Sequence, residues 1–252
     1  MRIITILVVW LFWAGRIGAE VTCTIAAASD LVSVMMPLQT AFTSEYPRVR
    51  LKVVFGSSGN IFAQIQLGAP FDLFLSADTN YPATLIHHGN AESNSFTRYA
   101  IGHLALWSSN SKIAVSTNLH EILRNPAIHR IAIANPLHAP YGKAAKSTLE
   151  HLGLWHDVQN KIVLAENVAQ AFQFTQSGHA QLALLPLSLV RGESNRVSSY
   201  IPIPSDWHPP ITQSGVITSH GATNASARQF LKFLTNSTAQ NIFKHHGFST
   251  TN

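Results

Sequence analysis

From residue 21 to residue 89 the chain switches repeatedly between a β-type and a helical hydrophobic period, and this alternation constrains the fold more than any other feature. VTCTIAAAS is a β-type run ending in small residues. DLVSVMMPLQTAFTSEY then carries Leu31, Val34, Met35, Leu38 and Phe42 at the spacing of one helix face. Residues 50–55 form the next strand pattern and residues 61–67 the next helix. PFDLFLSAD reads as a strand with Asp72 as its polar interruption, and residues 82–88 as a helix closed by Gly89. Strands alternating with helices predict an α/β lobe with a mostly parallel sheet. Pro37, inside the first helical pattern, predicts a kink or an early boundary.

A second α/β block covers roughly residues 103–205. RYAIGHLALWSS is apolar and long enough to cross from one lobe to another. LHEILRNPAIHRIAIANP reads as helix, turn and strand, and the loop NPLHAPYG runs into a helix over 143–152 with Gly153 just past its end. KIVLAEN, VAQAFQFTQSG and AQLALLPLSLV follow as strand, helix and buried strand. After the proline-dense IPIPSDWHPP come a strand, ITQSGVITS, and a helical region broken near residues 235–237. With 252 residues, 46% of them apolar, the chain has material for two lobes with full cores.

The first residues, MRIITILVVWLFWAGRIGAE, place one arginine before an apolar run from Ile3 to Ala14. That run is short for a bilayer span and matches the core of a secretory signal, with cleavage expected after Ala19. The protein is therefore expected outside the cytoplasm, in the periplasm. Cys23, the single cysteine, has no partner for an internal disulfide, and Glu20, Val21 and Thr22 before it do not suit lipidation; it is expected as a small apolar residue in the first strand. Losing Arg2 and Arg16 with the signal leaves fifteen basic against twelve acidic residues, a balance of +3 with no basic block, which argues against nucleic-acid binding.

The chemistry concentrates at two strand-to-helix turns. In open α/β sheets ligands bind beyond the carboxyl ends of strands, at helix N-termini. Ser29–Asp30 and Ser57–Ser58 occupy that position. In FGSSGN the glycines free the backbone to approach a ligand and the N–H groups and hydroxyls can hold an oxyanion, yet no lysine accompanies them, unlike an NTPase phosphate loop. A serine nucleophile is not signalled: Gly56-Ser57-Ser58-Gly59 is one residue short of GxSxG. His138 is read as a solvated loop residue. His87–His88 and His245–His246 sit near helix C-termini, where the dipole favours them, and no zinc motif is present. Asp72 is expected to bond neighbouring backbone and Asp78 to open a turn. Trp107, Trp155 and Trp207 are expected in cores or on lobe surfaces.

AAAS, FGSSG, QIQLGAPFDLFLSAD, ANPLHAPYGKAA, AENVAQAF and IFKHHGF, in that order, closely resemble the periplasmic molybdate-binding proteins, the receptors of molybdate and tungstate ABC importers. The resemblance spans the whole mature chain. It implies a two-lobed α/β periplasmic-binding-protein fold, each lobe a mostly parallel or mixed sheet flanked by helices, with the ligand cleft between them. Lobe 1 is then discontinuous, residues 20–101 and 212–252, lobe 2 is 102–211, and residues 1–19 are the signal. It implies molybdate or tungstate as ligand, a membrane permease as partner, no cofactor, no catalysis and a monomer. The oxyanion is held by hydroxyls and amides, with no direct protein–metal bond. Residue by residue, Ser29 and Ser58 match the hydroxyl donors, and Tyr141 and Val168 match backbone donors. Asp30 is expected to offer its N–H, with its carboxylate turned away to cap the helix. Pro186 stands where some members place a cleft tyrosine. Another tetrahedral oxyanion such as sulfate is the alternative ligand, and a secreted hydrolase the alternative of a different class.

Overall fold

The computed structural model describes residues 20–110, 112–113, 115–191 and 199–251; the signal expected over 1–19 lies outside them. The first half of the chain runs β1 (Val21–Ala28), α1 (Val32–Glu45), β2 (Val49–Gly56), α2 (Ser58–Gln66), β3 (Leu73–Ser76), α3 (Asn80–His87) and β4 (Thr97–Gly102). A second set follows: β5 (Leu104–Ser108), α4 (Leu119–Arg124), β6 (Ile131–Ala134), α5 (Pro140–His151), α6 (Trp155–Val158), β7 (Ile162–Ala165), α7 (Val168–Gln176), β8 (Leu182–Pro186), α8 (Leu187–Arg191) and β9 (Ser199–Pro202). The chain closes with β10 (Ile211–Ile217), α9 (Ala225–Phe233) and α10 (Ser237–His245).

These strands form two five-stranded sheets, ordered β2-β1-β3-β10-β4 and β7-β6-β8-β5-β9. Each defines one lobe of the expected α/β architecture. In the first, β1 pairs parallel with β2 and β3, and β10 runs antiparallel between β3 and β4. In the second, β6 pairs parallel with β7 and β8, and β5 runs antiparallel between β8 and β9. Each sheet therefore receives, as its fourth strand, the strand that has just crossed from the other lobe. Only His103 separates β4 from β5, so the first crossing is almost direct.

The helical face read from the sequence is the buried one. Leu31, Val34, Met35, Leu38 and Phe42 are all buried against β1, β3 and the C-terminal helices, with Phe230 edge-on to Phe42 at 5.0 Å. Burying each such side chain contributes about 1.5–3 kcal/mol. That sum explains why Pro37 does not end α1, which continues to Glu45 although a helix-interior proline costs about 3 kcal/mol; the boundary expected there is absent. Cys23 is fully buried in β1, as expected of a small apolar residue. Gly153 and Gly178 adopt φ of 66° and 80° just past α5 and α7, the left-handed conformation that ends a helix cheaply only at glycine. Trp107 is buried and stacked on Phe172 at 4.9 Å, and Trp207 stacks on His151 at the surface of the second lobe.

Candidate functional site

The carboxyl ends of β1, β2 and β3 in one sheet face those of β6 and β7 in the other, and a cavity lies between them. Ala28, Ser29 and Asp30 line it beyond β1, Gly56, Ser57 and Ser58 beyond β2, and Ala77 beyond β3; Ala139, Pro140 and Tyr141 come from the start of α5, Asn167 and Val168 from the start of α7. All five residues singled out from the sequence, Ser29, Asp30, Ser58, Tyr141 and Val168, meet here. The cavity is small, about 10 Å³, which leaves no room for a sugar or a peptide. Among the described residues no lysine, arginine or histidine lines it.

The donors arise from helix starts. The first N–H groups of a helix have no intrahelical acceptor, and they carry the positive end of its dipole. Tyr141 and Val168 are the second residue of α5 and the first of α7. Pro140, at the first position of α5, fits there because it has no N–H to satisfy. Asn167 caps α7 by accepting from the Gln170 N–H, which leaves the Val168 N–H for the cavity. Ser58 opens α2. Its Oγ accepts from the Ala77 N–H at 3.0 Å, so its own proton remains to donate. The Ser29 hydroxyl donates to the Gly56 carbonyl at 2.9 Å and must rotate to serve a ligand.

Asp30 departs from its expected role. Its carboxylate does not cap the helix: the residue is 1% exposed, Oδ2 accepts from Gln213 Nε2 at 2.8 Å, and Oδ1 has no partner. Burial pushes its pKa up to about 7; the neighbouring Tyr141 hydroxyl, its own N–H and the Gln213 amide act the other way. The folded-state value of about 7 exceeds the ordinary 3.8. Asp30 therefore favours folding fully below the ordinary value, and that contribution is lost as pH rises through the raised one. Melting temperature in the absence of anion is expected to drop between about pH 4 and about pH 7, with Asp30→Asn removing much of the drop. Equal slopes in the two proteins would contradict this.

His138 also differs from its reading as a solvated residue. Its Nδ1 pairs with Ser57 Oγ at 2.9 Å and its carbonyl accepts from the Gly59 N–H at 2.8 Å. These bonds, with Asn60 to Glu166 and Ser33 Oγ to the Ser188 carbonyl at 2.9 Å, tie the two lobes together around the cavity. Only the three-dimensional closure reveals the Ser57–His138 pair, whose members lie 81 residues apart. Among the described residues no carboxylate bonds the other ring nitrogen of this pair, and Ser57 has relaxed extended backbone at φ −74°, ψ 145°, unlike the strained turn of a hydrolase nucleophile. Asp72 accepts from the Thr24 N–H at 2.7 Å, and Asp78 from the Tyr81 N–H at 3.1 Å, the structural roles read for them. Pro186 pairs with Leu104 inside the second sheet and does not line the cavity. Among the described residues no cluster of three or more His, Cys, Asp or Glu is placed to hold a metal ion.

The chain matches the family described as bacterial extracellular solute-binding protein over residues 23–249. The molybdate-binding protein ModA of Rhodobacter capsulatus is 32% identical to it over 237 residues, 94% of this chain and 89% of that protein. ModA of Azotobacter vinelandii is 33% identical over 225 residues, 89% of this chain and 88% of its own. The solved structure of the Azotobacter vinelandii periplasmic molybdate-binding protein superposes with a TM-score of 0.85 at 33% identity, covering 91% of this chain and 100% of that one. By its order of strands, the cavity between its two sheets and these matches, the chain belongs to the bacterial extracellular solute-binding proteins.

Proposed function

We propose that this protein captures molybdate or tungstate in the cavity between its lobes, outside the cytoplasm, and delivers the anion to the membrane permease of an ABC importer without catalysing a reaction. One observation carries the reading: hydroxyls and helix N-termini from both sheets converge on one small cavity, and none of the described residues lining it is cationic. A fully ionised tetrahedral dianion needs donors alone. Ser29 and Ser58 give it hydroxyls, and Asp30, Tyr141 and Val168 give it main-chain N–H groups. A lysine or arginine would hold many anions with less discrimination. A protonated anion has an O–H of its own that finds no acceptor in a donor-only cage. The names of the relatives at 32% and 33% identity support molybdate as the ligand.

Because the donors come from both lobes, the anion bridges them, and closure is the binding event. Lobe 1 is taken as residues 20–101 with 212–252, and lobe 2 as 102–211. The protein acts as a monomer, exported by the signal at its N-terminus, and needs no cofactor. Titration calorimetry with molybdate, tungstate, sulfate and phosphate tests the ligand. Molybdate and tungstate are expected to bind tightly and the other two weakly. Tight binding of sulfate alone would make this a sulfate receptor.

A further inference from the structure

Among the described residues Asp30 is the only acid that lines the cavity, and it is sealed from water. Among the described residues its surroundings supply no charged partner within hydrogen-bond distance. From β10 comes the Gln213 amide, at 2.8 Å from Oδ2; Gln213 is itself approached by the Tyr99 hydroxyl of β4 at 3.5 Å. From α5 comes the Tyr141 hydroxyl. It acts on the carboxyl as a nearby donor, yet neither it nor Oδ1 makes a hydrogen bond of ordinary geometry. From α8, Ser188 donates to the Asp30 carbonyl at 2.8 Å, while Arg191 on the same helix lies toward His103 and Gly247. On α7, residues 168–176 carry no charge. Lys143 of α5 acts on Asp78 and sits over the Tyr81 ring, and His138 is engaged with Ser57.

An ionised Asp30 would thus be a buried anion with no counter-ion among the described residues, at the wall of a site for a dianion. Like charges in a dry site strongly disfavour each other's ionisation. We propose that Asp30 carries a proton whenever the dianion occupies the cavity, so that above neutrality capture of the anion takes up one proton from solvent. The inference rests on the oxyanion reading. The proton adds to the carboxylate of Asp30, and no bond of the anion is made or broken; the Tyr141 hydroxyl, which can donate to an ionised Oδ1, can equally accept from a protonated one. The upward displacement of the Asp30 pKa before any anion is present supports the assignment. A protonated Asp30 also keeps the cage free of acceptors, whereas an ionised one would offer an acceptor to hydrogen phosphate.

The test is calorimetry of the purified protein with tungstate from about pH 6 to about pH 9, in buffers of differing ionisation enthalpy. Affinity is expected to be level below about pH 7 and to fall about tenfold per unit above it, with about one proton taken up per anion at the alkaline end. Asp30→Asn, which keeps the shape and removes the titration, is expected to flatten the profile. His138→Gln is expected to retain the fall and so to separate the histidine at the lobe boundary from Asp30. A level wild-type profile, a fall that persists in Asp30→Asn, or one that vanishes in His138→Gln overturns the proposal. Should Asp30→Asn not fold, the wild-type proton count decides, and zero uptake at the alkaline end overturns it. Tungstate binding that is level with pH leaves the oxyanion reading intact; absence of tungstate binding at every pH removes both. Preference for hydrogen phosphate over tungstate would mean an ionised, accepting Asp30 and would likewise overturn the proposal.

Discussion

Replacing Gly59 by Ala is expected to weaken anion binding by about tenfold to a hundredfold without lowering the stability of the unliganded protein, since an overpacked contact costs about 1–3 kcal/mol. The reason is where the new methyl would go. It would lie 2.7 Å from both Cβ and the carbonyl oxygen of His138, across the lobe boundary, and 2.6 Å from the Tyr81 hydroxyl. The tyrosine tip can swing aside, but the His138 backbone can retreat only if the lobes part. Gly59 does not have the positive φ that would penalise alanine, and it lies in the first turn of α2, where alanine is the better helix former. The substitution therefore suits lobe 1 and opposes only closure. Equal losses of melting temperature and affinity would contradict this, because they would place the clash inside a lobe.

Ser58→Ala is expected to cost a comparable amount, about 1.5–3 kcal/mol of binding or roughly tenfold to 150-fold, the worth of one charge-assisted hydrogen bond. Ser58 is almost fully buried and its acceptor side is already engaged by the Ala77 N–H, so its proton is aimed by the fold before the ligand arrives. Ser57→Ala is expected to have the smaller effect, since that hydroxyl serves His138 at the lobe boundary. Calorimetry on the two variants checks the order, and an assay for esterase turnover in the same samples is expected to find none to lose. A larger loss for Ser57 than for Ser58 would exchange their roles, and esterase activity abolished by Ser58→Ala would restore the hydrolase reading.

The apolar face of α1, the hydroxyls at the two strand-to-helix turns and the helix-ending glycines were legible in the sequence because all depend on residues a few positions apart, which periodicity and turn chemistry expose. The antiparallel entry of β10 between β3 and β4 was not, because ITQSGVITS looks the same in either direction and its partners lie far upstream. Family resemblance, not periodicity, brought the C-terminal helices back to the first lobe. Asp30 shows most plainly where local reasoning stops. Beside a helix start an aspartate is ordinarily a cap. Here the Gln213 amide, 183 residues away, and the Tyr141 ring draw it inward, and that competition exists only in the folded chain. The Ser57–His138 bond was hidden for the same reason: His138 alone reads as a solvated loop residue and Ser57 as part of a strand-to-helix turn.

One dianion held among the Ser29 and Ser58 hydroxyls and the N–H groups of Asp30, Tyr141 and Val168 is the arrangement on which every other expectation depends. A crystal of the protein grown with tungstate addresses it without intermediaries, because tungsten scatters anomalously and marks its own position. A single strong anomalous peak is expected in the cavity between the two sheets, with all four oxygens within hydrogen-bond distance of those donors and no cationic side chain in contact. A peak held instead by lysine, arginine or histidine side chains elsewhere on the surface, with none in the cavity, would contradict it.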